Sequence, residues 1–180
     1  MIYEYRGVRP RLGTDVFIAP GAVVLGDVEI GDGSNLWFYT VARGDVHTIR
    51  IGKMVNIQDH CMLHVTGGRF PLTIEDEVVV GHRAVLHGCA IGSGVLIGIG
   101  ALVLDGAVVE EGAIVAAGAV VAPGARIPAG RVAMGTPAHP GREARDEERR
   151  VHRENIRKYH EYGVAFGELV KGVERHNLFM

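Results

Sequence analysis

The sequence predicts a mainly β protein, a solenoid of short stacked strands followed by a C-terminal α-helix. Three observations carry this. Seven six-residue units run unbroken from Ile91 to Val132: IGSGVL, IGIGAL, VLDGAV, VEEGAI, VAAGAV, VAPGAR and IPAGRV. Each opens with Ile or Val and has Gly at its fourth place, and five of the seven have Ala at the fifth. A period of six fits neither a 3.6-residue helix nor a long alternating strand, but it does fit short strands separated by corners. Apolar first places and small fifth places then point inward, and glycine relieves the turns. No rung can bury its own face, so the rungs must stack. Finally, beyond about residue 143 the hexads stop and a charged, helix-forming composition begins.

The same beat organises the earlier chain. It runs as IAPGAV from Ile18, VLGDVE from Val24, IGDGSN from Ile30, LWFYTV from Leu36 and ARGDVH from Ala42. It slips within 42–51 and returns as IGKMVN from Ile51 and IQDHCM from Ile57. The stretch HVTGGRFPLT after His64 inserts a loop; VGHRAV follows from Val80, and the register slips by one residue between Leu86 and Ile91. The expected organisation is a β-helix domain over 1–140 and a helical tail over 141–180 packing on it. Within the tail, a helix is expected over about 143–162 and a shorter element over 164–171. Val151, Ile156, Tyr159 and Tyr162 form an apolar stripe near helical spacing. Acids alternate with bases there, which reads as a solvated face rather than a nucleic-acid patch.

Composition narrows the class. The 180 residues carry a formal net charge of -2, so no global field favours nucleic acid or an anionic membrane. The N-terminal stretch MIYEYRGVRPRLG has no signal-peptide core and no run approaches a membrane span, so a cytoplasmic location is expected. Cys61 and Cys89 lie in apolar repeats and read as buried, reduced thiols.

Polar residues gather where the beat breaks, and four of the nine histidines lie between 60 and 87. His64 and His82 are three hexads apart and would stack on an uninterrupted three-hexad coil, but the loop at 66–71 spoils that count. His82 and His87 are five apart with a corner expected between them. If they point to opposite edges, one chain cannot close a site around one ion; a neighbouring chain in a rotational trimer can.

The set ARGD at 42–45, NIQD at 56–59, His64 ending CMLH, and GHRAVLHGC at 81–89 resembles the gamma-class carbonic anhydrases and their bacterial homologues among the hexapeptide-repeat proteins. The resemblance implies a left-handed parallel β-helix of hexapeptide repeats over about 12–140, with a C-terminal α-helix. MGTPAHPGR at 134–142 resembles the family's exit motif, where Pro137 and Pro140 would stop the sheet ladder. It further implies a homotrimer with one metal per subunit, held by His64 and His87 of one chain and His82 of its neighbour. Arg43 and Asp45 match a pair forming ion pairs across the subunit boundary. Asn56, Gln58 and Asp59 match the polar residues that order the site and its water.

Three neutral imidazoles on Zn²⁺ with an open position would lower the pKa of water from about 15.7 to about 7, producing hydroxide to attack CO₂ and release bicarbonate. Fe²⁺ or Co²⁺ fits the same ligands. One departure bears on rate. Archetypal members carry acids after the RGD motif and in the loop after the first histidine, including a proton-shuttling glutamate. Here those places hold Val46 and the run Val65, Thr66, Gly67, Gly68. His47 is a substitute relay or a surface histidine, and Tyr159 a site contact or a packing residue. Two other classes remain open on this fold: a metal-binding scaffold with little hydratase activity, and an acyl-CoA-dependent transferase or thioesterase.

Overall fold

The corners explain the hexads. In the computed structural model, which describes residues 1–177 and side chains through Val170, the fourth-place glycines from Gly94 to Gly130 all have φ between +63° and +70°. That left-handed backbone costs other residues about 1–2 kcal/mol. First-place residues from Ile91 to Ile127 are 0–1 % exposed and fill the interior with the small fifth-place side chains. Each rung buries its inward face only against the rungs above and below.

The result is a left-handed parallel β-helix with a single C-terminal helix. One coil is three hexads: Leu96 pairs with Ile114 and Ile114 with Val132. Three faces share two sheets, because the strands Val23–Ile30 and Val41–Ile51 run round a corner and join two faces into one 12-stranded sheet. We call these the histidine-bearing face, with Met62–His64 and Val85–His87, and the third face, with Leu72–Ile74 and Ala90–Ile91. The remaining eight-stranded sheet is the helix-bearing face.

The coil lengthens at one corner only. Val24 pairs with Ala42, a regular coil onward, but Val28 pairs with Ile49, three places beyond a regular coil. Leu63 pairs with Leu86, five places beyond, whereas Thr73 pairs with Ala90, one place short. The extra residues therefore lie between positions 3 and 11, around Asp45–Thr48 and in the 65–71 loop, stacked on the same edge.

The exit and the tail depart from expectation in three ways. Pro140 does not stop the sheet. Strand Ala138–Glu143 turns back antiparallel on Arg131–Gly135, with Pro140 opposite Ala133; an edge strand tolerates a residue without an N–H. The tail is one helix, α1 (Asp146–Asn177), not two elements. Gly163 and Gly167 do not break it, because they let its backbone close on the sheet. A Cβ at Gly163 would stand 3.2 Å from Asn35 Cβ, and one at Gly167 3.6 Å from the Phe17 ring.

The inward stripe also differs. Ile156 is buried as expected, but Val151 and Tyr162 are exposed, and His152 takes the inward place. The helix runs back down the corner between the third and helix-bearing faces. His160 Nδ1 meets the Gly33 carbonyl at 3.0 Å, His152 lies beside Gly94, and Arg149 reaches Gly130. Coils are about 4.8 Å apart and a helix rises about 1.5 Å per residue. A step of three or four residues thus matches one coil. Glu148 secures the start of α1, accepting from the Arg145 N–H at 2.8 Å and from both terminal nitrogens of Arg142 at 2.7 and 2.6 Å.

Both cysteines are free and buried as expected. Burial pushes each thiol up to about 12. Among the described residues no helix is long and apolar enough to cross a membrane.

Candidate metal centre

His64 and His87 end neighbouring strands and are paired in register. The loop adds enough residues that His87, not His82, stacks on His64. Their ring centroids are 5.1 Å apart, and His64 Nδ1 faces His87 Nε2 at 3.1 Å. Each ring's other nitrogen meets a carboxylate: His64 Nε2 lies 3.0 Å from Asp45 Oδ1, and His87 Nδ1 lies 2.6 Å from Asp105 Oδ1. An ionised carboxylate only accepts, so those nitrogens carry the ring protons. The two facing nitrogens then present lone pairs to each other.

Two lone pairs at that distance repel unless a cation or an added proton lies between them. With metal–nitrogen bonds of about 2.0–2.1 Å, two ligands on a tetrahedral Zn²⁺ stand about 3.3 Å apart. The 3.1 Å separation is close to that edge, and a carboxylate behind each imidazole is the usual arrangement for a metal-binding histidine. These residues fit a divalent cation.

Both carboxylates are held ionised. Burial pushes Asp45 up, but hydrogen bonds from His64 and Arg43 outweigh it and leave the group below the usual carboxylate range. Arg43 Nη1 donates to Asp45 Oδ2 within the same chain. Asp105 is likewise lowered on balance: burial raises it, and hydrogen bonds from Thr66 and His87 more than offset that. Thr66 Oγ1 donates to Asp105 Oδ2 at 2.8 Å.

His82 sits at the other edge of the histidine-bearing face, on the corner leading into Val85–His87. Its Nδ1 is 2.9 Å from Asp59 Oδ2, which leaves Nε2 free, and its side chain is 46 % exposed. Its backbone N–H donates to Gln58 Oε1 at 3.1 Å. Tyr39, His60 and Arg83 share this ridge and adopt left-handed backbone without being glycine, with φ of 60° to 61°. Among the described residues of one chain, no three His, Cys, Asp or Glu side chains form a group that could hold an ion.

The expected residues therefore divide. Arg43, Asp45, His64 and His87 share one edge; Gln58, Asp59 and His82 share the other. Asn56 joins neither. It is buried on the helix-bearing face and donates to Asn35 Oδ1, which also accepts the Trp37 indole N–H at 2.7 Å. Tyr159 packs edge-on against Tyr162, and its carbonyl accepts from Asn35. His47 Nδ1 accepts the Thr48 N–H at 2.7 Å and borders a cavity of about 280 Å³ shared with Asp45 and Tyr5. Sequence reasoning misses Asp105 and Thr66. The available signal is spacing, since Asp105 follows His87 by three hexads, one regular coil.

Known proteins resemble this chain along most of its length. The mitochondrial gamma carbonic anhydrase 2 of Arabidopsis thaliana is 48 % identical over 144 residues, covering 77 % of this chain and 52 % of its own, so this chain spans about half its length. A Methanocaldococcus jannaschii protein provisionally named a carbonic anhydrase is 50 % identical over 148 residues, covering 82 % of this chain and 92 % of its own. The chain belongs to the gamma carbonic anhydrase-like family of hexapeptide-repeat proteins. Within this family of repeats, the model for the bacterial transferase hexapeptide (six repeats) matches residues 9–44. A solved Bacillus cereus structure, provisionally described as an acetyltransferase, is 42 % identical with a TM-score of 0.92, covering 94 % of this chain and 98 % of its own. The gamma carbonic anhydrase-like relatives imply a metal cofactor, and the paired imidazoles are where this chain offers ligands for one.

Proposed function

We propose that this protein hydrates CO₂ to bicarbonate as a metal-dependent C3 trimer. His64 and His87 of one chain meet His82 of the next at each interface, giving one ion per subunit. The observation that carries the reading is the pair of facing ring nitrogens, each backed by a carboxylate. The three imidazoles would hold a Zn²⁺, Fe²⁺ or Co²⁺ ion, which would act as a Lewis acid; Zn²⁺ would lower the pKa of water to about 7 and so make hydroxide available at neutral pH.

The chain's own residues do the rest. Asp45, Asp105 and Asp59 fix the tautomers of His64, His87 and His82 so that the correct nitrogen is free. Arg43 keeps Asp45 in place, and Gln58 braces the corner that carries His82. Val46, Gly67 and Gly68 offer no group to accept the proton released in each turnover. Unless His47 relays it, external buffer takes it, and the rate should then climb with buffer concentration.

That same lack of acids favours a second reading, a metal-binding homologue with little hydratase activity. Stopped-flow CO₂ hydration on protein of known metal content separates the two. Wild type is expected to exceed the buffer rate and His82→Ala to match it. Fully metallated wild type running at the buffer rate leaves the second reading; protein that takes up no Zn²⁺, Fe²⁺ or Co²⁺ refutes both.

A further inference from the structure

We propose that Asp105 and Thr66 are positioning residues that fix His87 as a ligand, so that the 65–71 loop sets metal affinity without touching the metal. The inference rests on the metal-site reading above. Asp105 bonds on both sides, accepting from His87 Nδ1 at 2.6 Å and from Thr66 Oγ1 at 2.8 Å. Without Asp105, the proton on His87 can move to Nε2, the nitrogen needed for the ion. Without the Thr66 hydroxyl, the carboxylate loses the contact that aims it.

Three features show a built arrangement. Gly88 has φ +54°, and a Cβ there would stand 2.4 Å from Asp105 Oδ1 and 2.8 Å from Phe70 Cβ, so glycine clears the path by which Asp105 reaches back one coil to His87. The corner beyond His87 is also cut short: Leu86 pairs with Val103, one place less than a regular coil, whereas Ala90 pairs with Val108, a full coil ahead. Thr66 is clamped in turn. The Thr66 N–H donates to the Phe70 carbonyl, and the Phe70 N–H donates to the Thr66 carbonyl, both at 3.1 Å. The Phe70 ring then lies against Gly106, next in the chain after Asp105, while the Arg69 guanidinium stacks over it at 4.9 Å. The inserted loop thus spans two coils and delivers one hydroxyl to one carboxylate. Arg43 does the corresponding work for Asp45 with a full charge.

The test compares wild type, Asp105→Ala, Thr66→Val and Thr66→Ser by Zn²⁺ competition against a chelator, and by long-range ¹H–¹⁵N NMR of the metal-free proteins. Asp105→Ala is expected to weaken Zn²⁺ binding by about 10–100-fold. Thr66→Val, close to threonine in volume, weakens it in the same direction, and Thr66→Ser restores it. In metal-free protein, His87 is the Nδ1–H tautomer in wild type and Thr66→Ser, and shifts toward Nε2–H in the other two. Equal affinity in all four proteins, or an unchanged His87 tautomer in Asp105→Ala, overturns this inference alone. A wild type that binds no Zn²⁺ overturns it together with the functional reading.

Discussion

Gly88 shows how much one missing side chain carries. Its φ is positive and its Cβ position is already occupied by Asp105 and Phe70. Gly88→Ala is therefore expected to cost about 1–2 kcal/mol of stability for the backbone alone, read by chemical denaturation. It should also push Asp105 off His87 and weaken Zn²⁺ binding as Asp105→Ala does. A substitution that leaves both unchanged means the corner has room the geometry denies it. At this scale the sequence is partly legible. His64, His82 and His87 stand out because imidazoles are rare in an apolar repeat. Asp105 does not, because an acid at the third place of a hexad looks like any solvated corner until coils are counted. Asn56 shares a motif with Gln58 and Asp59, yet its side chain packs with Asn35 on another face.

The tail helix is expected to respond to pH through a buried imidazole. His152 is 7 % exposed, and neither ring nitrogen has a hydrogen-bond partner. Burial is the main cause that leaves its pKa below the ordinary 6.5; the nearby Gly94 carbonyl favours the charged ring and Arg153 opposes it. Arg149, Glu77 and Glu111 border the same groove. The folded state thus binds this proton more weakly than the unfolded chain does. The associated stability is whole above pH 6.5 and declines as pH falls below it. Glu148 acts elsewhere on the scale: Arg142 and the Arg145 N–H hold it down to about 2 from 4.5, so its contribution is whole above pH 4.5 and is lost as pH falls toward 2. Trp37, the single tryptophan, meets Phe166 of α1 edge-on at 5.2 Å and reports docking. Its fluorescence should show the helix loosening as pH falls below 6.5 in wild type, and His152→Leu should flatten that slope. The same slope in both proteins assigns it to another group. Periodicity reveals the rungs because every one repeats the same inward places. It misjudges the helix face because the contact there is made by histidine and glycine, which hydrophobic patterning passes over.

For the whole molecule, the division of ligands between two edges predicts complementation. His82→Ala keeps His64 and His87, and His87→Ala keeps His82. In a ring of three, any mixed trimer of these variants contains one interface with all three imidazoles. Co-refolding them in equal amounts should restore about a quarter of the wild-type metal sites, while either alone has none with three ligands. Metal content after desalting measures this, and no recovery means the imidazoles do not meet across a boundary. The prism is readable from its hexads, but the spatial separation of the histidines depends on a loop whose effect on register spacing alone leaves open. The return strand Ala138–Glu143 has one more consequence. It forms the C-terminal edge of the helix-bearing face, antiparallel to rungs that otherwise all run alike. A parallel stack offers its terminal edge to any similar rung; reversing the final strand withholds that template on this face, and so opposes end-to-end joining into fibres there.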